Sequence, residues 1–373
     1  MDITPFFKLM VDKGASDLFF SVGAIPHIKI EGIIAPVGQT PLQSQQMAEI
    51  VLSIMNDDQQ KEFEAKMEIN LAFSLVGIGR FRINVFRQRG EVAMVIRYIK
   101  GEIPSIEDLN LPQILKTLVM ELRGLILVVG STGSGKSTTL ASMLNYRNEN
   151  HRGHILTIED PIEYLHKHKK SIVDQREVGI DTLSYESALK NAMREAPDVI
   201  LIGEIRDKDT MKHAIAYAET GHLCISTLHS NNANQALDRV INFFPEDARH
   251  QLLLDLSLNL KAIISLRLIP GIANQRVAAV EVLINSPYIS DLIEKGKIDD
   301  IKEVMARSKE QGMQTFDQAL LDLYQGGKIS KENTIKFADS KNNVGLQIRL
   351  NEEAKYDEND GKLQIQSDDL DKY

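Results

Sequence analysis

Five apolar residues, Leu125 to Val129, run straight into Gly130-Ser131-Thr132-Gly133-Ser134-Gly135-Lys136-Ser137-Thr138, and this junction constrains the fold more than any other stretch. So short an apolar run, bounded by glycine, suits a strand buried on both faces. The residues from Gly130 to Ser137 fit G-x-x-x-x-G-K-[ST], and Lys136 to about Tyr146 reads as a helix. Strand, glycine turn and helix in that order make a phosphate cradle. Glycines let backbone N–H groups turn inward, Lys136 neutralises charge between the β and γ phosphates, and Ser137 offers a hydroxyl to Mg²⁺. The helix amino terminus adds its dipole. The expected ligand is ATP, held by the nine residues Gly130 to Thr138.

The surrounding texture agrees with an α/β fold. His154 to Ile158, Val199 to Ile202 and Leu223 to Thr227 are short buried strands alternating with helices. Between them Tyr185, Ala188, Leu189, Ala192 and Met193 fall on one helical face, with Ser184 as N-cap and Pro197 as the stop. A parallel sheet is therefore expected in the middle of the chain. The first hundred residues differ: a short helix, extended segments at DLFFSV and HIKIEG parted by Gly23 and Pro26, and an antiparallel hairpin over Gly79 to Ile99 that breaks at Gly90. Arg80, Arg82, Arg87, Arg89 and Arg97 line that hairpin. Lys100 to Ser105, KGEIPS, reads as a linker. Beyond Pro287 the pattern is helical to about Ala338, with a short extended piece at Leu346 to Leu350.

At 373 residues, 43% of them hydrophobic, the chain has the material for two cores. The net charge of −9 has the wrong sign for a surface that binds nucleic acid throughout. Much of it is local: residues 351–373 carry eight acidic and three basic side chains and little apolar pattern, so they are expected to be disordered. Cys224 stands alone, which excludes a disulfide within the chain and a Cys-x-x-Cys zinc site, and fits a reducing cytosol. None of the nine histidines has metal-ligand spacing. No secretory signal and no apolar run of about 20 residues is visible, so no transmembrane segment is expected.

Two further segments supply the acidic groups that phosphate chemistry needs. Asp198 to Asp207, DVILIGEIRD, is a buried strand ending in Gly203 and Glu204, and Thr157 to His166, TIEDPIEYLH, brings Glu159, Asp160 and Glu163 together after another strand. With AETGHLCISTLHS at Ala218 to Ser230, the order of these segments resembles the Walker A, Asp box, Walker B and His box of the secretion superfamily ATPases. Within that superfamily the chain is most similar to the PilT and PilU pilus retraction ATPases, and GASDLFF near the start and GMQTFDQAL at Gly312 to Leu320 also resemble family segments.

The resemblance implies that Glu163 positions or activates the attacking water and that Glu204 helps hold Mg²⁺, roles that can be exchanged. It implies that His222 and His229 sense the γ phosphate or link neighbouring subunits. An arginine delivered to the transferring phosphoryl group is worth a factor of about 10³ to 10⁵, and here it would come from Arg80, Arg82, Arg87 or Arg97, with Arg194 and Arg206 ranked lower. The implied architecture is an amino-terminal PAS-like α+β domain over 1–99, a linker at 100–105, a RecA-like ATPase domain over 106–286, a helical extension over 287–350 and an acidic tail over 351–373. A homohexameric ring is implied, peripheral at the cytoplasmic face of the inner membrane at the pilus base, working on a platform protein and beside a sister retraction ATPase. Where PilT-like chains carry AIRNLIRE, this one has YISDLIEK at Tyr288 to Lys295, which places it nearer the PilU branch and an accessory role. Alternatives are a pilus-assembly or type II secretion ATPase, disfavoured by the single cysteine and short amino-terminal region, a nucleic-acid translocase, disfavoured by the acidic charge, and a regulatory ring that binds ATP but depends on a sister motor, disfavoured by the intact catalytic motifs.

Overall fold

The computed structural model describes residues 2–30, 32–272 and 275–360. The chain opens with α1 (Thr4–Asp12), β1 (Asp17–Ser21), β2 (His27–Ile30), β3 (Ile33–Pro36), α2 (Ser44–Ser53) and α3 (Asp57–Lys66). Then come β4 (Glu68–Leu75), β5 (Gly79–Gln88) and β6 (Glu91–Ile99). Along β5 every second residue, Phe81, Ile83 and Val85, is buried, while Arg80 and Arg82 on the alternate positions are only partly covered. That period of two fixes which face meets the core. Arg89 and Gly90 form the two-residue turn into β6, both with positive φ (52° and 82°), as a turn that matches strand twist requires. The strands order as β3-β2-β1-β6-β5-β4, and the helices add Phe7, Met10, Met47, Ile50 and Phe63 to the same core. Phe7 sits 4.4 Å from Phe81 and 5.4 Å from Phe73, ring centroid to centroid.

The remaining elements run α4 (Ile114–Val119), β7 (Gly124–Val129), α5 (Lys136–Asn150), β8 (His154–Glu159), β9 (Ile172–Glu177), α6 (Tyr185–Ala192), β10 (Val199–Ile202), α7 (Lys208–Glu219) and β11 (Leu223–Leu228). They continue with α8 (Ala233–Asn242), α9 (Arg249–Asn259), β12 (Leu260–Pro270) and β13 (Arg276–Ile284). Five helices close the chain: α10 (Pro287–Glu294), α11 (Ile301–Arg307), α12 (Phe316–Gln325), α13 (Lys331–Phe337) and α14 (Lys341–Asp360).

Packing divides the chain into two compact units that interleave along the sequence. The first holds residues 1–108, 119–124 and 137–226; the second holds 109–118, 125–136 and 227–373. In the first, β8 pairs in parallel with β9 and with β10, and β10 with β11. All residues of β10 and β11, Cys224 among them, are buried, which is why these strands read as unbroken apolar runs. Ser184 caps α6 as expected, accepting from Ser187 N at 3.1 Å. In the second unit β7 lies parallel to β12, but β12 and β13 pair antiparallel over nine residue pairs, so the sheet is not wholly parallel.

Residues 100–105 carry no regular helix or strand, and Leu165 N donates to Lys100 O at 3.1 Å and Ser142 Oγ to Pro104 O at 2.7 Å. Two local expectations need correction. Leu346 to Leu350 is helical, inside α14, because Val344 and Ile348 pack inward one turn apart while Leu346 and Leu350 stay exposed. The expected disordered tail begins too early, since α14 runs to Asp360; residues 361–373 lie outside the described residues.

Candidate active site

In the second unit, β7 delivers the chain to the glycine loop. Gly130, Gly133 and Gly135 have φ of 155°, 75° and 97°, values that L side chains rarely adopt. At Gly130 space adds to conformation, because a Cβ there would come within 2.7 Å of the Leu266 carbonyl oxygen. Lys136 Nζ folds over the loop and donates to Gly130 O at 2.8 Å and Ser131 O at 3.0 Å. Ser134 Oγ is buried with no hydrogen-bond partner among the described residues. A loop of left-handed glycines, an ammonium group, an unpaired buried hydroxyl and the start of a fifteen-residue helix fit the phosphates of a nucleotide. Ser131, Thr132 and Gly133 are the exposed residues of the loop. His229 follows directly on the carboxyl end of β11.

In the first unit, Ser137 and Thr138 occupy the first turn of α5, and Thr138 Oγ1 lies 3.0 Å from the Tyr164 hydroxyl, which ties that turn to the acidic loop. β8 ends in Glu159 and a cis Asp160–Pro161 bond, and Glu163 follows, exposed. Glu159 Oε1 accepts from Thr157 Oγ1 at 2.7 Å and Gln175 Nε2 at 3.2 Å. Burial pushes its carboxyl up to about 7, with those hydrogen bonds and one from the Glu163 backbone pulling the other way. Gly203 N donates to Ile158 O at 2.8 Å, bringing the ends of β8 and β10 side by side. No side chain fits at Gly203: a Cβ would meet the Tyr185 hydroxyl at 2.7 Å and Glu159 Cα at 3.2 Å. Glu204 comes next, largely covered, and its Oε2 accepts from Arg206 Nε at 2.7 Å.

The raised carboxyl of Glu159 sets a pH dependence. Folded, the group keeps its proton up to about pH 7; an ordinary carboxyl releases it near 4.5. Between those values the folded state binds more protons than the unfolded one, so stability falls as pH rises through the window. Glu159→Gln removes the titration, and its melting temperature is expected to gain on the parent's as pH rises from 5 to 8, with the lead largest near pH 8 (about one unit above the folded value). Parallel pH profiles for the two proteins would contradict this.

The hairpin arginines separate into two groups. Arg80 Nη2 lies 4.0 Å from Asp181 Oδ2, and Arg82 Nε lies 3.9 Å from Glu177 Oε1. Glu177 pairs in register with Glu159 across β8 and β9, so these two arginines reach the acidic end of the parallel strands. Burial pushes the Glu177 carboxyl up, with Arg82 opposing. Arg97 is instead held by Asp17 at 2.8 Å, and Arg87 lies over Phe63. Arg194, exposed just past α6, donates from Nη1 to Asn191 Oδ1 at 3.3 Å.

His222 lies at the amino end of β11 and His229 at its carboxyl end. His222 sits beside Thr220 Oγ1 at 3.1 Å, and six strand residues at roughly 3.3 Å each put it about 20 Å from the carboxyl end. Sequence reasoning missed Tyr185 and Glu177. Tyr185 reads as one more apolar position of α6, yet burial and the carboxylates of Asp160, Glu159 and Glu204 raise its hydroxyl pKa, with Arg206 opposing. Glu177 has no motif at all and is found only through strand register.

A glycine phosphate loop after a buried strand, and in the other unit carboxylates at the carboxyl ends of paired parallel strands, define a P-loop ATPase of the RecA-like kind. More narrowly, the chain belongs to the type II/IV secretion system protein family, whose sequence profile matches residues 2–356. It is 53% identical to the type IV pilus ATPase PilU of Pseudomonas aeruginosa over 358 residues, 96% of this chain and 94% of that one. To PilT of the same organism, a type IV pilus retraction ATPase, it is 43% identical over 333 residues, 89% of this chain and 97% of that one. A crystal structure of the pilus retraction motor PilT with bound ADP superposes with a TM-score of 0.85 at 42% identity, covering 91% of this chain and 98% of that one.

Proposed function

We propose that the chain is an ATP-driven motor of type IV pilus retraction and twitching motility, working as a homohexamer at the cytoplasmic base of the pilus. The loop geometry carries the ATP reading: left-handed glycines, a folded-over Lys136 and a buried Ser134 hydroxyl form a phosphate cradle. Similarity to PilU and PilT over nearly the whole chain supports the pilus reading. Ser137 would hold Mg²⁺ directly and Glu204 partly through water, and the ion would supply charge to the β and γ phosphates. Glu163, exposed beside Glu159, orients the attacking water. His229 senses the γ phosphate, and His222 faces a neighbouring subunit. Arg80 and Arg82 reach the transferring phosphoryl group when the amino-terminal domain closes on the nucleotide. The work passes to an inner-membrane platform protein.

An accessory role beside a sister retraction ATPase is favoured by one observation in α10. Leu292 and Ile293, which this chain keeps from the retraction motif, are buried, while Tyr288 is exposed and Asp291 pairs with Lys295 on the surface. The motif's core is kept and its outer face rebuilt, so what it meets differs rather than how it folds.

The test is ATP turnover of the purified protein beside Glu163→Gln and Glu204→Gln, with particle mass from light scattering. A particle of six 41.8 kDa chains is expected. Each substitution should lower kcat about a hundredfold, the size of general-base and electrostatic contributions. Only Glu204→Gln should also weaken the dependence on Mg²⁺. A particle of one chain with no turnover, or full turnover in both variants, would defeat the assignment.

A further inference from the structure

Strand β12 serves two loops of the nucleotide site with consecutive residues. Leu266 turns its backbone carbonyl to Gly130, the residue whose missing side chain lets the strand approach. Arg267, next along, spreads its guanidinium over three partners. Nη2 donates to Asn231 O at 3.3 Å, and Nη1 donates to Asp339 Oδ1 at 2.7 Å and to Phe337 O at 3.2 Å. Its Cζ lies over the Phe316 ring, 3.8 Å from the centroid. Asn231 stands two residues past His229, on the short segment between β11 and α8.

The far end of that segment is fixed from the same hairpin. Ala233 N, at the start of α8, donates to Glu281 Oε1 at 2.8 Å, and this oxygen also accepts from Ser265 Oγ at 3.0 Å. Glu281 is buried on β13, and Ser265 lies in register with Val129, the last residue of β7 before the phosphate loop. The backbone following His229 is thus gripped at Asn231 by Arg267 and at Ala233 by Glu281.

On its other side Arg267 leads into the helical extension. Asp339 immediately precedes Ser340 and α14, and its Oδ2 accepts from Lys302 Nζ of α11 at 2.7 Å. Burial opposes its charge, but hydrogen bonds from Lys302 and Arg267 outweigh that and hold the carboxyl below the usual range. Asp339 N and Ser340 N donate in turn to the Asp317 carboxylate of α12 at 2.7 and 3.1 Å. Helix α11 thus bonds the carboxylate that Arg267 holds, α12 bonds the backbone of the same residue, and α14 starts two residues on. We propose that Arg267 is a positioning residue for ATP turnover, coupling the backbone just past His229 to Asp339, so that the helical extension and the nucleotide-sensing loop are set together. The proposal rests on the reading of His229 as the sensor.

A planar fork can hold a carboxylate and a carbonyl at once while stacked on a ring; an ammonium group in the same place cannot hold that geometry. Displacing α11 or α14 would shift Asp339, and with it the guanidinium that grips Asn231. The coupling predicts a change in the rate of the step that His229 serves and not in the affinity of the phosphate loop.

The experiment compares Arg267→Met, Arg267→Lys, Asp339→Asn, the double variant Arg267→Met/Asp339→Asn and His229→Ala in the full chain. The readouts are kcat and KM for ATP, the affinity for a fluorescent ADP analogue, and melting temperature. Arg267→Met should lower kcat about tenfold, a coupling of ordinary size, with KM and ADP affinity within about twofold of the parent. Arg267→Lys and Asp339→Asn should move kcat in the same direction, and the double variant should be no slower than Arg267→Met alone. Should Arg267→Met fail to fold, the lysine and asparagine variants carry the same comparison. Losses that multiply in the double variant, or a loss of ADP affinity equal to the loss of kcat, would overturn the coupling. If His229→Ala slows turnover while folded Arg267 and Asp339 variants do not, the sensor reading stands and the coupling fails; if His229→Ala is silent, the sensor reading fails and takes the coupling with it.

Discussion

Lys136→Ala is expected to reduce ATP turnover by about a thousandfold or more while leaving the fold in place, since the charge it removes faces phosphates that carry the negative charge of the transition state. Lys136 Nζ lies over the loop, 2.8 Å from Gly130 O and 3.0 Å from Ser131 O, so the ammonium group is already at the mouth of the cradle. Alanine keeps the helical start of α5 and removes only the charge and its reach. Two measurements check the expectation together. Steady-state turnover should vanish into background, and the rise in melting temperature that saturating ATP gives the parent should shrink. For the parent that rise corresponds to about 2.7 kcal/mol when ligand stands at a hundred times its dissociation constant. A variant that still turned over ATP would show that Gly130 to Ser137 is not where the phosphates sit.

Arg82→Ala should cost about a factor of 10³ in kcat, or about 4 kcal/mol of transition-state stabilisation, whereas Arg97→Ala should change kcat by no more than about threefold. The contrast comes from what each guanidinium touches. Arg97 is bound to Asp17 at 2.8 Å inside its own sheet, where it braces β1 against β6. Arg82 faces Glu177 across 3.9 Å, beyond hydrogen-bond reach. Arg80 stands in similar fashion 4.0 Å from Asp181. Loosely held arginines can transfer to a stronger anion at small cost. Rapid-quench measurement of a single turnover isolates the chemical step; a larger loss from Arg97→Ala than from Arg82→Ala would reverse the assignment.

Where local chemistry dictated structure, the residues could be read directly. Leu125 to Val129 could only be a buried strand, the glycines after it could only be a turn, and Ser184 could be named as a cap from its hydroxyl and the periodic face that follows. Where a partner decided, the residues misled. Leu346, Ile348 and Leu350 alternate with polar neighbours and so resemble a strand, but the contact that settles the matter is Val344 with Ile348 against the helices before them. The antiparallel β12–β13 pair has no short turn signal to announce it, and its strand LKAIISLRLIP is apolar enough to pass for a buried parallel strand. In the candidate site, motif order puts forward Glu163 and Glu204 as expectations, while Tyr185 and Glu177 depend on which strand lies beside which, a fact no window of sequence contains.

The single thiol has a consequence for labelling chemistry. Cys224 is wholly buried in β11, and burial pushes its pKa up, so the thiolate that reacts with maleimides is suppressed twice over, by access and by ionisation. A cysteine placed at fully exposed Val76, in the turn between β4 and β5, would then be the one reactive thiol of the native chain, and a dye could be attached to the amino-terminal sheet without first removing Cys224.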